Sequence, residues 1–494
     1  MGLTDLPPEL ILRMSSLLTT PELGTLRRAS KFIEAVLFDS FAREFFGKRQ
    51  FMIEHVSLQC LVDISNHPTL SARLAEVIIG LDVLQTDSDS DYSSDRSRAR
   101  YIAGHASRRV LLETGQARDM LEEAFSKLPN LRTVGLRDYA GAGRYRDGAD
   151  AVWRSYGWSY DYDSDGLQTS HPRSMSLASP ESAFPLILYA VGRANARPTN
   201  IEVFLRKRSK LTPLALNVVD GLMAPAVVPV LAGLKKLLLT VSLSERYSYG
   251  TPSAGASNDR MADVPLKRLL LHTPNLQVLR INFENDQPLA QDFLEWLGTP
   301  ASTPAPTADV THVHVSPVAL AALTHLDLGM LSVQGPTLVK VVAKLKLTSL
   351  NLWKVSLQCK DVDEFEAEPN RWRQFFENFA AALPADTALT TMMVGYPYQC
   401  YYGDPKLTFS HESTRIQFSP ERSQRSKTPL DTVSYRGGYG ASIKDWMLSM
   451  VERTSAIVLP SADEDSESES DDDGDGVDVG DIDEDEDESE DEDA

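Results

Sequence analysis

The chain begins with apolar residues at helical spacing and changes, further in, to apolar residues at strand spacing. Leu6, Leu10, Met14, Leu17 and Leu18 recur at steps of three and four, which lines them along one side of a helix. Pro7 and Pro8 have φ preset for a first helical turn, and Glu9 stands where the helix dipole favours an acid. A second helix starts with Thr20 as N-cap and Pro21 at the first helical position, its apolar positions being Leu23 and Leu26. A third, from about Phe32, carries Ile33, Val36, Leu37, Phe41 and Phe45. Three such helices within about 45 residues are too small for an independent core, so their apolar side is expected to dock elsewhere.

The stretch from Val62 to Ile79 reads as a helix end, a break at His67-Pro68, a short helix capped by Ser71, and a strand through Val77 and Ile79. A weak repeat then appears, apolar-x-x-apolar-x-apolar. Its clear copies are Leu131/Val134/Leu136, Leu234/Leu237/Leu239, Leu276/Leu279/Ile281, Leu323/Leu326/Leu328 and Leu347/Leu350/Leu352. Fainter copies lie at Ile201/Val203 and Leu389/Met392/Val394. The last two apolar positions alternate as in a short strand, and the first turns into the core ahead of it. Helically spaced residues precede some copies, for example Leu266, Leu269 and Leu270, or Trp372, Phe375, Phe376 and Phe379. The unit is therefore helix then strand, which on stacking gives a parallel sheet on one side of a curved solenoid and helices on the other. The clear copies start 103, 42, 47 and 24 residues apart, so the array is irregular and carries insertions. An ordinary α/β domain with leucine-rich strands is the alternative.

Composition distinguishes the insertions. Residues 86–100 are polar and read as a flexible loop. Residues 140–180 mix Gly, Ser and Asp with Tyr145, Trp153, Tyr156, Trp158, Tyr160 and Tyr162. Trp153, Tyr156, Trp158 and Tyr160 are candidates for client contact, because aromatic side chains bury large area at low entropy cost. A loop folded back on the body is the equal alternative. Residues 244–263 and 298–317 are Ser/Pro/Ala/Thr-rich connections.

The net charge of −21 is carried by one segment. Residues 461–494 hold 21 Asp and Glu and no Lys or Arg, leaving 49 acids against 49 bases in the rest of the chain. Such a block cannot collapse against its own repulsion and is expected to be disordered. Ser466, Ser468, Ser470 and Ser489 each precede an acid by three residues, so they are candidates for phosphorylation by acidophilic kinases; a plain solubility tail reads equally well. The neutral body shows no electrostatic footprint for nucleic acid. Its longest basic cluster, Arg206-Lys-Arg-Ser-Lys210, reads as a solvated loop ahead of a nuclear import signal. Three scattered cysteines, Cys60, Cys359 and Cys400, argue for a reducing compartment. No secretory signal and no membrane span are read, so the expected location is cytoplasmic and/or nuclear.

The wording of the N-terminus adds to its period. Leu-Pro-x-Glu-Leu, Met14, Leu17 or Leu18, then Leu23-x-x-Leu26-Arg27 and Ser30-Lys31-Phe32 resemble the F-box over residues 3–45, with Met14 where isoleucine is usual and Ser30 where cysteine is common. The segment from Val62 to Ile79, and Trp353-Lys-Val-Ser-Leu357 followed by Arg371-Trp-Arg-Gln-Phe-Phe376, resemble fungal F-box proteins with a degenerate leucine-rich-repeat-like C-terminal domain. The resemblance implies an F-box at 1–48, an irregular leucine-rich-repeat-like substrate-binding domain at 49–460 and an acidic tail at 461–494. It also implies docking on a Skp-type adaptor, and through it a cullin, by Leu6, Pro7, Pro8, Leu10, Met14, Leu17, Leu18, Leu23 and Leu26. The implied function is non-catalytic: the substrate-recognition subunit of an SCF-type ubiquitin ligase, recruiting a client protein that the sequence does not identify. The alternatives are an F-box scaffold acting outside a ligase and an acidic-tail chaperone for basic clients such as histones.

Enzyme and metal chemistry find little support. Asp161-Tyr-Asp-Ser-Asp-Gly166 matches the first half of a calcium loop, but Pro172 stands where a bidentate Glu belongs. His312, His314 and His325 lack a completing cysteine or acid. No Gly-x-Ser-x-Gly elbow or phosphate loop is present. No catalytic residue, metal, cofactor, nucleic acid or membrane is expected.

Overall fold

Ten strands in one sheet organise the body. The computed structural model describes residues 3–81, 83–84, 95–157, 169–170, 179–206, 210–243, 261–283, 287–301, 315–359, 370–384, 387–401, 413–420, 428–437 and 442–457. In spatial order the sheet comprises β1 (Lys48–Met52), β2 (Glu76–Gly80), β3 (Thr133–Arg137), β4 (Asn200–Phe204), β5 (Lys236–Val241), β6 (Val278–Phe283) and β7 (His325–Gly329). A two-residue strand, β8 (Ser332–Val333), follows in sequence but lies in a second sheet. The main sheet continues with β9 (Ser349–Trp353), and β10 (Ser356–Cys359) again belongs to the second. β11 (Thr391–Gly395), the last parallel strand of the main sheet, is followed by β12 (Tyr398–Tyr401) and β13 (Ser413–Phe418) of the second. β14 (Thr432–Arg436) closes the main sheet antiparallel to β11, and β15 (Thr454–Ile457) closes the second against β13. The protein is thus an α/β structure built on a large, mostly parallel sheet.

The register explains why these segments are strands. Val77, Val134, Ile201, Leu237, Leu279, Leu326, Leu350 and Met392 are paired one to the next across eight strands. Each is buried. The leading leucines of the repeat, Leu131, Leu234, Leu276, Leu323, Leu347 and Leu389, are buried as well, so the fainter copies at 201 and 389 form strands as complete as the clear ones. The same rung at β1 is occupied by Arg49, paired with Val77. Burial, and after it the neighbouring Arg144, pushes this guanidinium below its usual range.

Helices connect the strands, as parallel pairing requires. They include α4 (His55–Asn66), α5 (Pro68–Arg73), α6 (Asp95–Glu113), α7 (Gln116–Phe125), α8 (Pro180–Arg193), α9 (Pro213–Leu216) and α10 (Ala224–Gly233). Then follow α11 (Val264–Leu271), α12 (Gln287–Gly298), α13 (Gly335–Lys344), α14 (Arg371–Ala382) and α15 (Ile443–Arg453). Their apolar residues share one core with the inward strand rungs; Trp372, Phe376 and Phe379 of α14 are almost completely enclosed. One sequence expectation shifts. His67, not Ser71, caps α5: its Nδ1 accepts from the N–H groups of Thr69 and Leu70, both at 3.3 Å, because Pro68 starts the helix immediately after it. The strands β7, β9 and β11 end in sharp corners at Met330, Lys354 and Tyr396, with φ of 56°, 51° and 48°. The left-handed positions themselves are not glycines, although Gly329 and Gly395 directly precede two of them. Each corner N–H donates to a carbonyl beyond its own strand, at Trp353, Gly395 and Asp431 respectively, which holds the left-handed conformation in place.

Lys344 sits at the end of α13 with Nζ donating to the carbonyls of Leu297 and Val318 at 2.7 and 2.6 Å. Burial lowers its pKa from the ordinary lysine value to about 8. The unfolded chain therefore binds the extra proton between about pH 8 and the free lysine value near 10.5, and stability gains as pH rises through that window. A Lys344→Met variant is expected to lose this part of the rise. Urea unfolding of both proteins at pH 7.5 and 10 checks it, the difference between them isolating Lys344 from other groups.

Candidate functional site

The N-terminal helices, α1 (Pro8–Ser15), α2 (Thr20–Ala29) and α3 (Lys31–Phe46), pack a core of their own. Ile11, Leu23, Ile33, Leu37 and Phe45 are buried there, with Leu6, Leu18 and Leu26 half-buried against them. The expected single apolar stripe is consequently divided. Leu6, Leu18, Leu23 and Leu26 face inward, and Ile11 takes the central position that spacing alone did not assign. Pro7 and Pro8 are exposed at the head of α1. Leu10, Met14 and Leu17 are left outward at 47%, 40% and 83% exposure, joined by Leu12 and, from α3, Phe32. Leu10 and Met14, one helical turn apart on α1, form the contiguous part of this exposed apolar set.

Side-chain caps fix α2 and α3. Thr19 rather than Thr20 starts α2, and its N–H and hydroxyl both donate to the Glu22 carboxylate, at 2.9 and 2.8 Å. These bonds hold Glu22 below the usual carboxylate range. Ser30 starts α3 by accepting from Phe32 N–H at 3.2 Å.

A segment about 100 residues later ties this unit to the sheet. Arg146 grips Glu44 of α3 with Nε and Nη2 at 2.5 and 2.6 Å, and its Nη1 donates to the carbonyls of Ser15 and Leu18 at the end of α1. Asp147 accepts from the N–H and hydroxyl of Thr20 at 2.7 and 2.6 Å, at the start of α2. A cation therefore meets a helix C-terminus and an anion a helix N-terminus, each matching the helix dipole. Burial opposes the charge on Asp147, yet the Thr20 bonds and the nearby Arg144 and Arg146 outweigh it and keep the carboxyl below its usual range. Arg144 lies over the Phe45 ring at 4.1 Å.

The same segment covers the free edge of β1. Tyr156 N–H donates to the Gln50 carbonyl at 2.8 Å, Gln50 Nε2 donates to Ser155 Oγ at 2.9 Å, and Ser57 Oγ donates to the Tyr156 carbonyl at 2.7 Å. Of the candidate client residues, Trp153 is half-buried beside Arg144, and Tyr156 is partly exposed with its ring facing Phe51. Trp158 and Tyr160 lie outside the described residues, as do the calcium-like stretch 161–166, Pro172, His312, His314, Ser466, Ser468, Ser470 and Ser489.

Away from the helices the sheet presents an open face. One of its rungs runs Glu202, Leu238, Arg280, Asp327, Asn351 and Met393 from β4 to β11. Arg280 pairs with Asp327 at 3.2 Å, Asn351 donates to Asp327 at 2.8 Å, and Glu202 pairs with Lys236 at 3.1 Å. Among the described residues no group of His, Cys, Asp and Glu could hold a metal ion, and no helix is long and apolar enough to cross a membrane. No protein-family model matches the chain, and no curated protein is similar to it in sequence.

Arg146 and Asp147 were not legible in sequence, since nothing local links them to helices so far upstream. Replacing both with alanine is expected to loosen the N-terminal helices by about 2 kcal/mol, the scale of a charge-assisted, bidentate contact. Hydrogen exchange should quicken roughly thirtyfold in α1–α3 while the central strands stay protected.

Proposed function

We propose that this chain is the client-recognition subunit of an SCF-type cullin ubiquitin ligase, with an F-box at its N-terminus and an irregular leucine-rich-repeat-like body. The observation that carries the reading is the set Leu10 and Met14 on α1 with Leu17 in the turn that follows, exposed on a helical unit that already owns a core and is pinned to the body. It coincides with the residues whose wording resembles the F-box. A Skp-type adaptor covering this set would remove about 1.5–3 kcal/mol worth of apolar surface from water per fully enclosed side chain. Leu6, Leu18, Leu23 and Leu26 support the docking face from below rather than touching the partner first.

The mechanism is proximity. The receptor makes and breaks no bond; it raises the effective concentration of a client's lysines near the ubiquitin donor. The mostly parallel sheet with helices on one face supports a repeat-like body, whose open face offers the client an array of polar and apolar rungs. The Arg146–Asp147 contacts favour transmission of a fixed orientation from adaptor to client surface.

Leu10→Asp/Leu17→Asp is the decisive variant, because both side chains are exposed and their replacement leaves the core intact. In a pull-down of a Skp-type adaptor, the wild-type chain is expected to capture the adaptor and the variant to lose it by at least a hundredfold, with unchanged thermal unfolding. Equal capture by both, or capture by neither, would remove the ligase reading.

A further inference from the structure

The open face holds an arginine that the interactions described above leave unpartnered. Arg137, the last residue of β3, is only 7% exposed, yet its guanidinium makes no hydrogen bond or ion pair among the described residues. It lies over the rings of Tyr139 and Phe204 at 5.6 and 5.5 Å, Phe204 being its register partner on β4. Burying an unpaired guanidinium is costly, and ring stacking offsets only part of that. The rings lie beside the group, and its N–H donors have no hydrogen-bond acceptor among the described residues. The edge that carries them fits a planar, two-oxygen acceptor held side by side.

A second cation stands at the rim. Arg206 lies over the same Tyr139 ring at 4.0 Å, is itself exposed, and begins the basic cluster that ends at Lys210. Its backbone N–H donates to Asp138 at 2.9 Å. Asp138 is buried next to Arg137 in sequence, so a carboxylate already stands near the site. Its presence favours an incoming monoanion over a phosphate dianion, whose repulsion would be about twice as large. The backbone closes in at Gly141, where an added Cβ would stand 3.5 Å from Arg137 Nη1. Backbone this close on one side favours a chain end over an internal residue, which has to carry backbone past the guanidinium in both directions.

We propose that Arg137, with Arg206 at the rim and Tyr139 and Phe204 as walls, binds the free C-terminal carboxylate of a client peptide. The client identity rests on the receptor reading, but the site lies at the ends of β3 and β4, and its test does not involve the adaptor. Degenerate octapeptides are passed over the immobilised full chain in three forms: free C-terminus, C-terminal amide, and amide with a central phosphoserine. The free-acid form should be retained at least tenfold better than the amide, as one charge-assisted pair would give. Arg137→Lys, which keeps the charge but loses the fork, and Arg206→Gln, at an exposed position, should each cut that preference severalfold. Equal retention of acid and amide, preference for the phosphoserine form, or a preference untouched by Arg206→Gln would overturn the proposal. Adaptor capture by these variants should equal wild type, so failure here and failure of the ligase reading are told apart.

Discussion

In-register parallel pairing is the constraint on which the rest of this molecule depends. A strand with two inward apolar residues cannot bury them alone, and neither can the helix beside it. Pairing Val77 through Met392 without a slip makes one continuous apolar row out of eight inadequate ones. A one-residue shift would turn a strand's apolar pair onto the open face, so the register is strongly enforced. The same requirement accounts for the connecting helices on one side and for the left-handed corners at Met330, Lys354 and Tyr396. Such corners cost on the order of 1–3 kcal/mol each in a non-glycine residue and persist where surrounding bonds over-determine them.

Much of this was legible in the residues. The apolar triplets from Leu131 to Val394 located seven of the strands, since inward positions at period two leave a local trace. Helix starts were legible to within a residue or so, because prolines and capping side chains act locally. The trace failed where the deciding contact is distant. The split of the N-terminal stripe between Leu6 and Leu18 inside and Leu10, Met14 and Leu17 outside depends on α2 and α3, which spacing along α1 cannot register. The aromatic segment beginning at residue 140 looked like a free loop or a returning one, and composition could not separate them; its described part returns to β1. Arg137 lies one residue past the Leu131/Val134/Leu136 copy and was not singled out, because its burial beside Tyr139 and Phe204 exists only after folding.

The two proposed surfaces ask different things of the fold. Adaptor docking needs an exposed apolar set on rigid helices, which short helices supply only if something else holds them. Here that something is a pair of adjacent, oppositely charged side chains reaching two helix ends at once. Peptide-end recognition needs a cation whose N–H donors are not already taken, and Arg137, beside Tyr139 and Phe204, supplies one. The neutral body charge is compatible with both, because what matters is local pairing rather than the total.

The two borders of the main sheet are unlike its middle. At one, Tyr156 and Gln50 close the margin of β1; at the other, β14 runs the opposite way, with exposed Thr432, Ser434 and Arg436 alternating along it. Neither border offers a parallel template to a further helix–strand unit. The number of units is therefore fixed by its ends, and duplication at a terminus would have nothing to build on. Change in such a chain is channelled into the turns between existing strands, whose lengths already range widely. That is where descendants of this sequence should differ most, while keeping the same count of rungs.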